Sequence, residues 1–162
     1  MSNLRSDLSI AIYAEPLSCF RDTAAIRDPT NPLAVVMLLI DYETECSMSG
    51  IVTLLGNSTG SRLPETIKAL ESIGCASHAT SLAQIQEIGR QSGMTYDAIQ
   101  EDRSSLSEFT VTSFSALHGD KWDDATDRIR LIHDTVDFDE FWLKLNAYVA
   151  RNEAELRSRM EC

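Results

Sequence analysis

The sequence contains no long hydrophobic run. Its longest apolar stretch, Leu33–Ile40, has only eight residues, whereas a membrane-spanning helix needs about 20. The first residues, Met-Ser-Asn-Leu-Arg-Ser-Asp, also lack the apolar segment of a secretory signal. We therefore expect a cytoplasmic protein that does not enter a membrane.

Cysteine is scarce and scattered. The chain has four cysteines, Cys19, Cys46, Cys75 and Cys162, and no two of them form a CxxC pair. This spacing fits neither a zinc-binding clip nor the disulfide framework of a small secreted domain. The cysteines are therefore predicted to be reduced thiols.

The sequence also contains few basic residues. Fourteen Lys and Arg residues stand against twenty-five Asp and Glu residues, which gives a formal net charge of -11. Coulomb repulsion disfavours direct binding to nucleic acid or to an anionic membrane, so a cationic protein is the natural partner. An acidic balance also keeps a protein soluble, and charge alone does not distinguish the two roles.

The length of 162 residues and the hydrophobic content of 43% predict one mostly helical domain over residues 1–162. The run Ala34–Ile40 is apolar on every side and is therefore predicted to be buried. Asn31 suits the N-cap of a helix, with Pro32 at its first position. A central strand is the alternative, but the continuation into Asp41–Glu45 favours a long helix.

Further helices are indicated downstream. Pro64 opens a segment that Gly74 closes with an expected left-handed C-cap, and another helix ends near Gly93. Two amphipathic helices are predicted to end the chain, and the second follows a capping-box-like start at Asp137 and Glu140. Their apolar residues are Trp122, Ala125, Ile129, Ile132 and Val136, followed by Phe141, Trp142, Leu145, Val149 and Leu156. Residues 106–117 suit a strand or a helix.

The segment Gly56–Gly60, Gly-Asn-Ser-Thr-Gly, matches the G-x-S-x-G nucleophile elbow of α/β-hydrolases. It follows the strand-like Ile51–Leu55, and acids and then His133 come downstream in the order of a triad. Too few strand candidates and no Gly-rich oxyanion loop upstream argue against a small serine hydrolase using Ser58. The competing interpretation is a tight turn between two helices, in which Asn57 or Ser58 caps.

The sequence does not match two other ligand-binding patterns, a phosphate loop and a metal site. A phosphate loop needs a lysine directly after its last glycine, and here Gly60 is followed by Ser61. A metal site could draw on histidines and aspartates late in the chain, but their spacing matches no common ligand pattern. These candidate metal ligands are His118, Asp120, Asp124 and His133. No metal and no cofactor are therefore expected.

The densest acidic patch extends from Asp120 to Glu140, where eight carboxylates stand against three basic residues, a local net charge of -5. At about 100° per helical residue, four of the acids fall opposite Trp122, Ile129 and Val136 and form a row facing solvent. The row comprises Asp120, Asp124, Asp127 and Asp134. The predicted partner-binding residues are Asp120, Asp123, Asp124, Asp127 and Asp134, with Asp137, Asp139 and Glu140 as lesser candidates. A merely solvated helix face is the simpler alternative.

Three segments, Tyr42–Ile51, Leu54–Gly60 and Pro64–Gly74, resemble the core motif of a family of small, acidic, helical bacterial proteins named for a DNA-mimic member. In that family a glutamate precedes an Asn-Gly-Gly-Phe turn, and Asn-Ser-Ser-Gly and Ala-Leu-x-x-Ile-Gly follow. The residues to which the resemblance assigns a structural role are Glu45, Gly50, Asn57, Ser58 and Gly60. The chain departs from the motif at Ser47–Ile51 and has leucines where aromatics are usual.

The resemblance implies an all-α, often dimeric protein without a cofactor. With the buried run Ala34–Ile40, the predicted fold is a single compact domain of short helices around a buried central helix. The named member uses surface acids to occupy the DNA-binding face of a helix-turn-helix regulator. We therefore expect a non-enzymatic acidic domain that mimics DNA and sequesters a basic DNA-binding protein. The alternative binding role is an immunity protein that neutralises a basic nuclease toxin.

Overall fold

A computed structural model describes residues 7–13, 20, 23–105 and 117–160. Every regular element within these ranges is helical, and the predicted all-α fold is confirmed. The ambiguous stretch 106–116 lies outside the described residues, as do Cys19 and Cys162. The other two cysteines, Cys46 and Cys75, are buried free thiols.

Nine α-helices and two 3₁₀ segments make up the described part of the chain. The α-helices are α1 (Asp7–Tyr13), α2 (Pro32–Ser49), α3 (Ile51–Leu55), α4 (Leu63–Ser72), α5 (Ala76–Ser92), α6 (Tyr96–Ser105), α7 (Asp120–His133), α8 (Phe138–Arg151) and α9 (Glu153–Met160). The 3₁₀ segments are Ala24–Arg27 and Gly60–Arg62. None of the described helices combines the length and the hydropathy that a membrane crossing requires.

Helix α2 is the centre of the domain. It begins as predicted: the Asn31 side chain accepts a hydrogen bond from the Leu33 N–H at 3.0 Å, and Pro32 occupies the first position. Every residue from Pro32 to Glu43 is buried, so this part of the helix has no face left for solvent. Helices α1, α3, α4, α8 and α9 and the first 3₁₀ segment pack around it. The predicted buried central helix is confirmed.

Helix α7 packs chiefly against α5 and α3. Trp122, Ala125 and Ile129 form its buried stripe, at the helical spacing expected from the sequence. Only one face of α7 is therefore used for packing, and the opposite face remains at the surface.

The predicted helix ends are present at three places. Gly74 adopts a left-handed conformation with φ +77° after α4, and Gly93 does so with φ +79° after α5. Asp137 caps α8, since its Oδ1 accepts from the Asp139 N–H at 2.8 Å and from the Glu140 N–H at 3.4 Å.

The C-terminal region contains three helices where two were predicted. Helix α8 ends because Asn152 turns its side-chain amide back onto the Tyr148 carbonyl at 2.8 Å, and α9 starts at Glu153. Leu156 is fully buried, but it belongs to α9. Leu156 lies seven residues after Val149. Seven residues span about two helical turns, so this spacing predicts one continuous helix and does not reveal the break.

A buried histidine connects α2, α5 and the start of α8. The His78 Nε2 atom lies 3.0 Å from the Asp137 carbonyl oxygen, and Nδ1 lies 3.1 Å from the Tyr42 hydroxyl. A carbonyl only accepts, so Nε2 carries the hydrogen and Nδ1 accepts from Tyr42. Phe138 and Phe141 pack against the ring, with centroids at 4.9 and 5.5 Å. This arrangement holds a neutral imidazole.

The stability of the protein should fall as the pH drops from 7.5 to 5.5. Burial lowers the pKa of His78, and the nearby Asp137 and Glu140 carboxylates oppose that shift. The unfolded chain therefore binds a proton near the ordinary histidine pKa of about 6.5, whereas the folded protein resists it. Urea unfolding at both pH values should show a smaller loss for His78→Gln than for the wild type. An equal loss in both proteins would assign the effect to other groups.

Candidate partner-binding surface

The acidic row, defined as Asp120, Asp124, Asp127 and Asp134, lies where the sequence predicted it. All four side chains are exposed, opposite the buried stripe of α7. At about 1.5 Å of rise per residue the row extends over about 21 Å. The structure thus places these carboxylates on one continuous strip of surface.

Several acids on other exposed helices are paired with arginines. Glu153 and Glu155 on α9 each contact an arginine one turn later at 2.8 Å, and Glu87 on α5 contacts Arg90 at 2.6 Å. In the acidic row, Asp127 lies 3.7 Å from Arg130, and the other three carboxylates have no ion pair with a described residue. The row thus places three carboxylates without an ion pair to a described residue on one strip of surface.

Helix electrostatics account for only part of the row. Asp120 lies in the first turn of α7, where the helix dipole favours negative charge. Asp134 follows the last turn, where the dipole disfavours it. Asp120 and Asp124 are also like charges four residues apart, an arrangement that destabilises a helix by a few tenths of a kcal/mol. The folding of α7 thus favours Asp120 but does not explain Asp124 or Asp134.

Four acids of the segment lie outside the row. Asp123 is exposed in the first turn of α7, and the last three acids have a different setting. Asp137 is occupied as the N-cap of α8, and Asp139 and Glu140 lie in the first turn of that helix. All three are exposed, yet each is favourably placed at a helix N-terminus. A purely structural role accounts for them better than it does for the acidic row.

Two exposed leucines accompany the acids, and the sequence analysis did not identify them. Leu131 on α7 is 69% exposed and Leu143 on α8 is 73% exposed. Both fall outside the buried stripes of their helices. The signal was present in the sequence, since each leucine is out of phase with the apolar periodicity of its helix.

The family motif forms a compact turn after α3. The Ser58 hydroxyl donates to Glu45 Oε1 of α2 at 3.2 Å, and burial raises the pKa of the Glu45 carboxyl. Ser58 does not cap a helix, and neither the 3₁₀ segment nor α4 has a side-chain cap. The predicted turn is present, but the predicted cap is wrong. A contact between residues thirteen positions apart determines the direction of the hydroxyl.

Close packing leaves no room for a side chain at Gly56 or Gly60. A Cβ on Gly60 would lie 2.1 Å from the Leu55 carbonyl oxygen, and one on Gly56 would lie 2.7 Å from the Ile99 side chain. The Gly56 carbonyl also accepts hydrogen bonds from Gln100 at 2.7 Å and Arg103 at 2.5 Å. Gly50 connects α2 to α3 with φ +79°.

Among the described residues, neither the nucleophile elbow nor the metal site is formed. Ile51–Leu55 is a helix, so the strand that a nucleophile elbow requires before Ser58 is absent. The His118 Nε2 atom lies 2.6 Å from an Asp102 carboxylate oxygen, and its ring stacks on Trp122 at 3.7 Å. Among the described residues no three His, Cys, Asp or Glu side chains converge as metal ligands.

These features define a class of protein: an acidic, all-helical domain with a compact glycine-containing turn and an exposed acidic strip. A family model described as DMP19-like protein matches residues 28–152. The chain belongs to this family, which is one of DNA-mimic proteins and not a known enzyme family. No curated protein and no solved structure matches the chain.

Ser58→Ala should lower the free energy of unfolding by about 1 kcal/mol, because one hydrogen bond to a partly buried carboxylate is lost. Urea unfolding followed by circular dichroism measures this change. Ser61→Ala, which removes a hydroxyl bonded to the Ser58 carbonyl at 2.7 Å, is the control within the same turn. Partner binding should persist in both variants, and its loss in a stable Ser58→Ala protein would contradict the structural role.

Gly60→Ala should destabilise the protein by about 3 kcal/mol or more, because the added methyl group meets backbone atoms that cannot rotate away. Gly74→Ala is the matched control, since its Cβ would meet nothing within 4 Å and only the φ of +77° is unfavourable. Thermal unfolding should therefore rank Gly60→Ala well below Gly74→Ala. Equal melting temperatures would show that the turn relaxes around the methyl group.

Proposed function

We propose that this protein is a DNA mimic that binds a basic DNA-binding protein through the acidic row and keeps it from its DNA. The observation that carries the proposal is the row itself, with three of its four carboxylates lacking an ion pair among the described residues. Membership of a family of DNA-mimic proteins supports the same role.

The spacing of the row suits this role. Neighbouring carboxylates are three, four or seven residues apart, which is about 4.5 to 10.5 Å along the helix axis. Phosphates on one DNA strand advance about 3.4 Å along the duplex axis. A single helix can therefore present carboxylates about one to three phosphate spacings apart. The cationic side chains with which a DNA-binding protein contacts phosphates could bind these carboxylates instead.

The charges of the whole molecule support a protein partner. With a formal net charge of -11, the domain repels nucleic acid and attracts a basic surface. We infer that Asp123 adds to the acidic row, and that Asp137, Asp139 and Glu140 contribute less because they serve α8 locally. A helix-turn-helix regulator in the cytoplasm is the partner class we favour.

A capture experiment with competition by DNA tests the proposal. The purified protein is immobilised, exposed to an extract of its native cell, and washed with short duplex DNA before the retained proteins are identified. A DNA mimic should retain a basic DNA-binding protein that the duplex releases, because both ligands use one face. Retention of neutral or acidic proteins only, or of proteins that duplex DNA does not release, would overturn the proposal.

Neutralising the row should weaken binding without weakening the fold. Asp124, Asp127 and Asp134 changed together to Asn should reduce the affinity for the captured protein about tenfold or more, chiefly through slower association. The dependence on salt should also flatten, because screening over about 10 Å at 0.1 M salt acts mainly on exposed charges. Stability should be unchanged or slightly higher, since unfavourable charges are removed from α7.

Stopped-flow association at several salt concentrations measures these effects. The matched control changes Glu87, Glu153 and Glu155 to Gln, which removes the same number of charges from acids that are paired with arginine. Only the variant in the acidic row should lose binding. An equal loss in the control would mean that total charge matters and that the row is not a specific site.

A further inference from the structure

We propose that Leu131 is an apolar anchor within the acidic row, and that the row fits a basic protein whose cationic surface surrounds an apolar contact. This inference rests on the proposed function and adds to it a requirement that charge alone does not supply. The observation behind it is one exposed leucine at a particular place in the row.

Leu131 occupies the single gap in the row. The carboxylates at 120, 124 and 127 are spaced by four and then three residues, and continuing this alternation leads to 131 and then 134. These five positions lie within about 80° of one another around the helix, at about 100° per residue. Asp127 is thus one turn before Leu131 and Asp134 one turn after it.

Core packing gives no reason for a leucine at this position. The buried contacts of α7 come from Trp122, Ala125 and Ile129 on the opposite face, and Leu131 remains 69% exposed. A single exposed leucine is common on protein surfaces, so its exposure alone means little. Its position between Asp127 and Asp134, one turn away on either side, is what sets it apart from Met48, which is 80% exposed on α2 and lies between two serines.

The surrounding charges restrict what could cover Leu131. Nucleic acid and anionic membrane surfaces carry the same sign of charge as the row and are repelled. A second copy of this chain would place one acidic row against another. A basic protein satisfies both requirements, because its cationic side chains meet the carboxylates while an apolar patch between them meets the leucine.

The two kinds of contact affect binding differently. Exposed carboxylates accelerate encounter and lose their effect as salt is raised. Burial of the leucine slows dissociation and is little affected by moderate salt, since it depends on apolar area removed from water. This arrangement, with an apolar centre and a charged rim, is the usual anatomy of a specific interface.

Two synthetic helical peptides serve as probes. One is built of lysine and leucine with its leucines along one face, and the other has the same lysines but glutamine in place of each leucine. The wild-type protein should bind the first peptide about tenfold more tightly than the second, as expected for burial of one leucine side chain. Titration calorimetry at low and raised salt provides the affinities.

Leu131→Gln, a substitution that a helix accommodates well, should bind the lysine-leucine peptide about five- to tenfold more weakly. Its affinity for the lysine-glutamine peptide should remain that of the wild type. Met48→Gln is the control and should change neither affinity. Circular dichroism should show the same helix content in all three proteins, because both substituted side chains are exposed.

Each other outcome has a definite meaning. Unchanged affinity in Leu131→Gln, or an equal loss in Met48→Gln, overturns the anchor, and so does a wild-type protein without preference for the leucine peptide. Binding of both peptides should fall when Asp124, Asp127 and Asp134 are changed to Asn. If that variant keeps wild-type affinity while Leu131→Gln loses it, the charge-based function is overturned and the apolar contact stands alone.

Discussion

The burial of α2 is the constraint on which the rest of the structure depends. A helix that is apolar on every side cannot lie at the surface, because each exposed leucine or valine would forgo a favourable transfer from water. Several other helices must therefore surround it, and five of the described α-helices do so. Short amphipathic helices suffice for this task, since each needs only one apolar face.

The C-terminal half of α2 carries carboxylates that need polar partners. Asp41, Glu43 and Glu45 lie on a helix largely enclosed by protein, and a buried carboxylate is unfavourable without partners. Arg62 approaches Asp41 at 3.9 Å, Ser47 donates to Glu43, and Ser58 donates to Glu45. Ser58 of the turn after α3 and Arg62 just beyond it thus supply polar contacts to the central helix.

The same core positions the acidic segment at the surface. Tyr42 of α2 holds His78 of α5, and His78 holds the Asp137 carbonyl at the start of α8. Helix α7 rests on α5 and α3 and leaves its outer face free. Since the core supplies the stability, α7 can tolerate like charges and an exposed leucine, and these are the features through which we propose that it binds.

The sequence alone determined the features that depend on neighbours a few residues apart. These are the caps at Asn31 and Asp137, the left-handed Gly74, and the angular position of the acidic row, because helix geometry repeats every 3.6 residues. Only the tertiary structure decided that Ser58 binds Glu45, that Gly60 contacts the Leu55 backbone, and that α8 breaks at Asn152. Periodicity cannot reveal such features, since burial and hydrogen-bond partners depend on how each segment packs.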